Sequence, residues 1–213
     1  CNWLLYIYAV FTGHVIAASL GYYLNPLINV VLATLFLGER LSRLQLLAVA
    51  VAAVGVATLL AGALDTLWIS AILATSFALY GLLRKIVPVG PLPSLAVETT
   101  VLMPIAMLVG IYYIGVGDGR GFGSSWQMTA LMIAAGAVTA LPLLSFAKAA
   151  RLMNYTTLGF VQYLTPTMLF LLGLLVFREP LMSVQLFCFT LIWASIAIFS
   201  YDMWRKRQRA IAE

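Results

Sequence analysis

The sequence is poor in charge. Only 9% of its 213 residues are Asp, Glu, Lys or Arg, and 63% are hydrophobic, whereas an ordinary soluble domain carries about 25% charged residues. A soluble protein of this length would need a polar exterior, and so few charges cannot supply one. The composition excludes a soluble globular domain and indicates a polytopic membrane protein.

The residues that metal sites and many hydrolases need are also scarce. His14 is the only histidine, which excludes the two-histidine H-E-x-x-H zinc motif, and neither a C-x-x-C pair nor a G-x-S-x-G turn is present. The two cysteines, Cys1 and Cys188, do not make a disulfide framework. The glycine-rich stretch from Gly115 to Gly123 lacks the lysine of a phosphate-binding loop. We therefore expect no cofactor, no metal and no enzymatic activity.

One stretch of the chain occurs twice. Tyr23-Leu24-Asn25-Pro26 is followed by Glu39, and 140 positions later Tyr163-Leu164-Thr165-Pro166 is followed by Glu179 at the same spacing. Further identities at this offset pair Leu4 with Leu144, Ala9 with Ala149, Leu32 with Leu172, Leu35 with Leu175, and Leu46 with Leu186. A self-match at one fixed offset indicates a duplicated unit.

The apolar runs between charges and Gly/Pro clusters have the length of membrane spans. A helix needs about 20 apolar residues to cross a hydrocarbon core of ~30 Å. On this criterion the sequence predicts one partial span over residues 2–10 and seven full spans, over residues 15–37, 44–64, 67–83, 95–115, 126–147, 157–177 and 186–201. The runs show no period-2 alternation, so we expect helices rather than barrel strands.

The distribution of basic residues predicts the orientation. If the C-terminus is cytoplasmic, ten of the twelve Lys and Arg residues lie on the cytoplasmic side, and only Arg120 and Arg178 lie outside. This asymmetry follows the positive-inside rule. The net charge is +5, and the basic residues behind it are therefore predicted to contact the bilayer surface, not nucleic acid.

The offset of 140 residues crosses five predicted spans. Because five is odd, the two copies must have opposite orientations in the membrane, as in the inverted repeats of secondary transporters. The sequence thus predicts an all-α polytopic membrane protein of inverted five-helix repeats, N-terminally truncated to about seven and a half of ten spans. The first repeat would cover residues 1–64, the second residues 65–204, and a basic cytoplasmic tail residues 205–213.

Proline recurs at matching positions of the two copies. Pro26 and Pro166 each remove a helical hydrogen bond and are predicted to kink their spans near the membrane midplane, where such transporters bind substrate. The alternative is a kink that serves packing alone. Polar side chains nearby could line a neutral, hydrogen-bonding cavity with aromatic walls; those predicted to bind substrate are Tyr22, Asn25, Tyr80, Gln162, Tyr163 and Thr165.

Glu98 is the one carboxylate that lies clearly inside a predicted span. Two roles stay open for it. A carboxyl group inside the membrane can carry a coupling proton, or Glu98 can form a structural ion pair with Arg84, which ends the preceding span on the same side.

Glu39 is predicted to have a structural role at the next helix start. Ser42-Arg43-Leu44-Gln45 fits a capping box, and a carboxylate close to the free amides of a helix N-terminus is stabilising. Glu179 has the matching position in the second copy and is interpreted in the same way.

Several stretches resemble the drug/metabolite transporter superfamily, with EamA-type repeats, and within it the RarD branch. They are Asn2 to Val10, Ala18 to Leu27, Phe36 to Arg40, Ser76-Phe77 with Tyr80 to Leu82 and Arg84-Lys85, Glu98-Thr99 with Pro104, and Thr157 to Phe160 with Gln162-Tyr163. The resemblance covers the whole chain. It departs at Phe11, where the family pattern has asparagine, and at Ala17, where the pattern has glutamate. If the polar groups of the family pattern contact substrate or a proton, this chain differs from the pattern in its substrate or its coupling.

The resemblance implies a ten-span carrier of the bacterial plasma (inner) membrane with a central cavity between the repeats. Such a carrier exports small metabolites or drugs by alternating access. The implied partners are a small-molecule substrate, the lipid bilayer and, if Glu98 is a coupling group, protons. A non-transporting assembly subunit and an intramembrane enzyme are the alternatives, and the enzyme would need clustered acid, base and nucleophile groups that the sequence does not show.

Overall fold

The computed structural model describes residues 2–62, 64–116, 125–176, 178 and 183–212. These residues form no strand, and their α-helices are α1 (Asn2–Phe11), α2 (Val15–Phe36), α3 (Arg43–Leu60), α4 (Leu67–Ile86), α5 (Pro91–Val116), α6 (Trp126–Leu152), α7 (Tyr155–Gln162), α8 (Leu164–Leu175) and α9 (Ser183–Ala212). Six of them, α2 to α6 and α9, are long and apolar enough to cross a membrane. The prediction of an all-α polytopic membrane protein is confirmed.

The predicted span over residues 157–177 is the one that the structure divides. It contains α7, which ends at Gln162, and α8, which begins at Leu164. Pro166 lies in the first turn of α8, where a helix tolerates the missing N–H, and it cannot donate to the carbonyl of Gln162 four residues earlier. By contrast, Pro26 lies inside the continuous helix α2. The two matching prolines therefore have different local settings.

The start of α3 is fixed by the predicted capping box. The Ser42 hydroxyl accepts a hydrogen bond from the backbone N–H of Gln45 at 3.2 Å, and the backbone N–H of Ser42 donates to Oε1 of Gln45 at 3.0 Å. Gly38, two residues beyond the end of α2, has φ of +64°, a backbone conformation that glycine adopts without strain. A glycine turn and a capped start thus connect α2 to α3.

Two compact units are present. The first contains residues 1–83 and 153–213, and the second contains residues 84–152. In the first unit α2 packs on α7, and α3 packs on α9 along much of its length. Residues 155–176 and 183–200 are the counterparts of α2 and α3 at the 140-residue offset, so each of these helices packs on its own counterpart. The boundaries of the two repeats stay a prediction.

One hydrophobic core of the first unit lies where α3 and α9 meet α2 and α7. Phe160 and Phe199 stack at 4.0 Å between ring centroids beside the buried Tyr163 and Cys188. A Cβ atom on Gly55 of α3 would lie 3.1 Å from Cβ of Leu191 and 3.2 Å from the carbonyl oxygen of Cys188 on α9. The two backbones therefore approach closely, as small residues at helix interfaces in membranes allow.

In the second unit α5 packs on α6. Lys85 donates to the carbonyl of Ala150 at 3.2 Å, and Arg151 donates to the carbonyl of Val89 at 2.5 Å. None of the residues in the apolar window of α5 is buried. Because most of these side chains are apolar, the surface of α5 suits contact with lipid.

We expect Gly55→Leu to destabilise the protein by about 1–3 kcal/mol, because overpacking at a close helix contact forces the backbones apart. The measurement is the thermal midpoint of the purified protein in detergent. Ala57→Leu is the control, since Ala57 lies on the same helix and is exposed. Equal midpoints for the two variants would contradict the close α3–α9 contact.

Candidate functional site

A cavity of about 300 Å³ lies among α1, α2 and α4 in the first unit. Hydrogen bonds between side chains and backbone hold these helices together. Asn2 of α1 donates to the carbonyl of Leu73 at 2.9 Å and to the hydroxyl of Ser76 at 2.7 Å. Ser70 of α4 donates to the carbonyl of Ala17 on α2 at 2.6 Å. The walls of the cavity are thus fixed by contacts that residues far apart in sequence make.

Aromatic rings form much of the cavity wall. Trp3 and Tyr6 of α1, Tyr22 of α2 and Phe77 of α4 all line it. Trp3 and Tyr6 meet edge to face, with ring centroids 6.2 Å apart. Such walls offer flat apolar surface to a ligand, with polar groups only at the ring edges of tyrosine and tryptophan.

The remaining lining is small or neutral. Ala18, Gly21 and Ala74 leave room, and a Cβ atom on Gly21 would lie only 3.3 Å from Cβ of Leu73. Asn2 and Asn25 supply carboxamide groups. Among the described residues that line the cavity, none carries a charge. An ionised solute would find no partner here, and burying an unpaired charge is costly.

Asn25 also belongs to a cluster of three carboxamides at the α2–α7 contact. The Nδ2 groups of Asn25 and Asn29 both donate to Oε1 of Gln162, and the bond from Asn29 measures 2.7 Å. Oδ1 of each asparagine and Nε2 of Gln162 are buried and have no hydrogen-bond partner within the described part of the chain. The cluster therefore connects the cavity wall to the end of α7.

A glycine lets α2 and α7 come this close. A Cβ atom on Gly159 would lie 3.0 Å from the carbonyl oxygen of Pro26 and 3.1 Å from Cβ of Asn29. Pro26 has no N–H to donate to the carbonyl of Tyr22, just as Pro166 has none for Gln162. The backbone carbonyls of Tyr22 and Gln162, two residues predicted to bind substrate, therefore lack the hydrogen bond that a helix normally gives them.

Glu39 contacts a different helix from the one predicted. Its carboxylate accepts from the backbone N–H groups of Tyr155 at 2.6 Å and Thr156 at 3.0 Å, so it caps α7. The prediction that Glu39 acts at the start of α3 is wrong, because Ser42 already caps that helix with Gln45. Free amides at an N-terminus favour a carboxylate whichever segment supplies it. Glu179 lies outside the described residues.

The predicted substrate-binding residues separate into two groups. Tyr22 and Asn25 line the cavity, and Gln162 bonds to Asn25. Tyr163 is fully buried in the core beside Phe160 and Phe199. Neighbouring helical positions point about 100° apart, so Gln162 and Tyr163 face different neighbours.

Two other predicted residues also lie away from the cavity lining. Thr165 is exposed on α8. Tyr80 packs on Phe77 at 6.1 Å between ring centroids and lies further along α4.

The cavity contains residues that the sequence analysis did not select. Asn2, Trp3, Tyr6 and Phe77 belong to stretches that carry the family resemblance, but nothing in their spacing indicated a shared cavity. Asn29, a polar residue near Pro26, lies four residues after Asn25 on the same helix face, and it bonds to Gln162 in the carboxamide cluster instead of lining the cavity.

The structure places Glu98 in an ion pair. Its Oε2 atom lies 2.9 Å from Nη2 of Arg84, whose side chain is 5% exposed, while that of Glu98 is 43% exposed. Because α5 begins at Pro91, Glu98 lies two turns into the helix. The sequence left two roles open for Glu98, and the structure shows the contact that one of them requires, the ion pair with Arg84.

We expect Gly159→Ala to destabilise the protein by about 1–3 kcal/mol, because the added methyl group would meet the backbone of Pro26, which cannot move aside like a flexible side chain. The measurement is the thermal midpoint in detergent. Gly136→Ala is the control, since no atom lies within 4 Å of the added methyl group and alanine is the better helix former. A loss of stability in the control but not at Gly159 would contradict the close α2–α7 contact.

The chain is similar to known transporters. Residues 1–61 match the EamA-like transporter family. An uncharacterized transporter of Pseudomonas aeruginosa is 46% identical over 211 residues, which are 98% of this chain and 70% of the relative. The uncharacterized transporter YojE of Bacillus subtilis is 40% identical over 98% of this chain and 70% of its own length.

Protein RarD of Escherichia coli is 42% identical over 206 residues, which are 94% of this chain and 68% of the relative. No solved structure matches the chain. Identities of 40–46% over 68–70% of the length of these relatives are high enough to assign the chain to their family. The chain therefore belongs to the RarD branch of the EamA-like transporter family, and it is a multi-pass membrane protein.

Proposed function

We propose that the protein is a secondary transporter that exports small metabolites or drugs across the bacterial plasma membrane, and that the solute binds in the cavity among α1, α2 and α4. The observation that carries this proposal is an uncharged cavity with aromatic walls and a buried asparagine inside a membrane-spanning helical bundle. A volume of about 300 Å³ is at the lower end of the range for small-molecule pockets, so the solute is small.

The helix geometry around the cavity supports alternating access. Pro26 interrupts the hydrogen bonding of α2, and Tyr163 separates α7 from α8 just before Pro166. Interrupted helices near the midplane are the places where transporters of inverted-repeat architecture bind substrate and rearrange. In the proposed site Tyr22 and Asn25 contact the solute, and Gln162 holds Asn25.

The proposed orientation puts the end of α9 in the cytoplasm. Arg205, Lys206, Arg207 and Arg209 are all exposed on its last turns. At 30 residues α9 measures about 45 Å at 1.5 Å per residue, longer than the ~30 Å hydrocarbon core. The basic end therefore extends beyond the apolar layer, where the positive-inside rule places such residues.

The first test is transport by the intact protein in proteoliposomes. The panel contains amino acids, uncharged metabolites and chloramphenicol, which enters because a relative in Pseudomonas aeruginosa has the name chloramphenicol-sensitive protein RarD. We expect Asn25→Leu to lower uptake of the transported solute by about fivefold to a hundredfold, since a lost hydrogen bond to a buried group costs about 1–3 kcal/mol.

The matched control is Thr165→Ala, because Thr165 is exposed and lies outside the cavity lining. Wild-type transport by Asn25→Leu would contradict the proposed site. Failure of the wild-type protein to move any solute of the panel would favour the alternative of a non-transporting assembly subunit.

Coupling to protons is tested separately with Glu98→Gln. Glu98 is paired with Arg84, and a proton carrier must give up that pairing. We therefore expect the variant to keep any dependence of flux on a pH gradient and to lose about 1 kcal/mol of stability. Loss of gradient-driven flux with intact solute exchange would contradict this and assign proton coupling to Glu98.

A further inference from the structure

Beyond the cavity, α2 and α4 both continue toward the same end of the bundle. Ser70 of α4 donates to the carbonyl of Ala17 on α2. One turn later in both helices, a Cβ atom on Gly21 would lie 3.3 Å from Cβ of Leu73, so the two helices run in the same direction. Phe77 is the last residue of α4 that lines the cavity. The turns of α4 that follow it therefore lie between the cavity and one face of the membrane.

Tyr155 packs against these turns of α4. It is the first residue of α7, it is fully buried, and its hydroxyl donates to the carbonyl of Ala78 at 2.5 Å. Ala78 follows directly after the cavity-lining Phe77. Ala78 is buried, and so is Leu82, four residues later on the same face of α4. Tyr155 thus covers α4 directly beyond the cavity.

Glu39 ties the same residue to α2. Its carboxylate accepts from the backbone N–H groups of Tyr155 and Thr156, and it lies three residues after the end of α2. Asn154, the residue before α7, makes no side-chain cap of its own. Hydrogen bonds to a carboxylate are stronger than those between neutral groups. The start of α7 is therefore held to α2 through its backbone and to α4 through the Tyr155 hydroxyl.

The helix division at Tyr163 gives α7 a hinge. The eight residues of α7 end at Gln162, and α8 begins at Leu164. Pro166 leaves the carbonyl of Gln162 without its helical donor. Residues at the ends of elements are the ones that absorb backbone rotation when a segment moves. Once the bonds at its start are broken, α7 can turn about Tyr163 while α8 keeps its place.

In the proposed orientation the start of α7 lies on the cytoplasmic side, because the exposed Arg40 and Arg43 follow Glu39 in the chain. Resting on the proposed function and orientation, we propose that Glu39 and Tyr155 form the cytoplasmic gate of the cavity. The structure shows this gate closed. A solute enters from the cytoplasm after the start of α7 has left both Glu39 and the carbonyl of Ala78.

The gate is tested by the reactivity of Leu82→Cys, a position that the closed gate buries. A membrane-impermeant maleimide is added to the cytoplasmic side of inside-out vesicles that contain the intact protein, and alkylation at position 82 is followed by mass spectrometry. We expect Glu39→Ala to raise the alkylation rate at least about tenfold, which corresponds to about 1.4 kcal/mol. Tyr155→Phe should raise it about threefold, because it removes one hydrogen bond between neutral groups.

A second reporter and a milder variant keep the test independent of one substitution. Thr156→Cys changes the side-chain volume little, and Thr156 is buried at the gate itself, so it should respond to Glu39→Ala as Leu82→Cys does. Glu39→Gln keeps the length of the side chain and one neutral acceptor oxygen. It should give a rate between those of the wild type and Glu39→Ala at both reporters.

Three controls separate gating from other effects. Asp65→Asn also removes a carboxylate, but Asp65 follows α3 whereas Glu39 precedes it, so the two lie at opposite ends of a spanning helix and the rate should not change. Ile86→Cys is exposed near the end of α4 and should react equally fast with every variant. Native Cys188 is fully buried in the core and should stay unreacted unless the protein unfolds.

Unchanged reactivity of both reporters in Glu39→Ala would overturn this inference, and so would an increase that Cys188 shares. Reaction of Ile86→Cys only from the opposite side of the membrane would overturn the cytoplasmic placement of the gate. The assay uses no solute. Glu39-dependent reactivity in a protein that moves no solute of the transport panel would therefore support a gate and count against the transport function, whereas transport with reactivity independent of Glu39 would overturn the inference alone.

Discussion

The close approach of α2 and α7 is the contact on which the candidate site depends. It exists because Gly159 has no side chain where the carbonyl of Pro26 and Cβ of Asn29 lie 3.0 and 3.1 Å from the position of a Cβ atom. At this distance the three carboxamides can meet, and Glu39 can reach the N-terminus of α7. Without it Asn25 would line the cavity with no partner to fix its orientation.

Polar groups are few in this protein, and several of the described buried ones form hydrogen bonds between distant segments. In lipid a buried polar group must find its partner within the protein, and here the partners come from distant segments. Glu39 bonds 116 residues away to Tyr155, and Asn29 bonds 133 residues away to Gln162. These few bonds fix the register of α2 against α7, a task that apolar packing alone performs poorly because lipid is as apolar as the helix surface.

Much of the architecture could be predicted from the residues. Span lengths and the capping box at Ser42 follow from local composition and spacing, and each of these signals lies within one segment. Asn25 and Tyr22 could be selected because they stand beside a proline in an apolar run. Tyr163 has the same description, yet it packs in the core beside Phe160. Which residues of α7 face α2 depends on how the two helices pack, and no local pattern indicates that.

The sequence by itself determined that the chain is a helical membrane protein, because the free energy of crossing lipid depends on the composition and length of each segment. It also determined which polar residues would have to find partners. Only the tertiary structure decided who those partners are: Glu39 with α7 and Gln162 with two asparagines. The physical reason is that a hydrogen bond needs two groups within about 3 Å, and for distant residues that distance is set by how the helices pack.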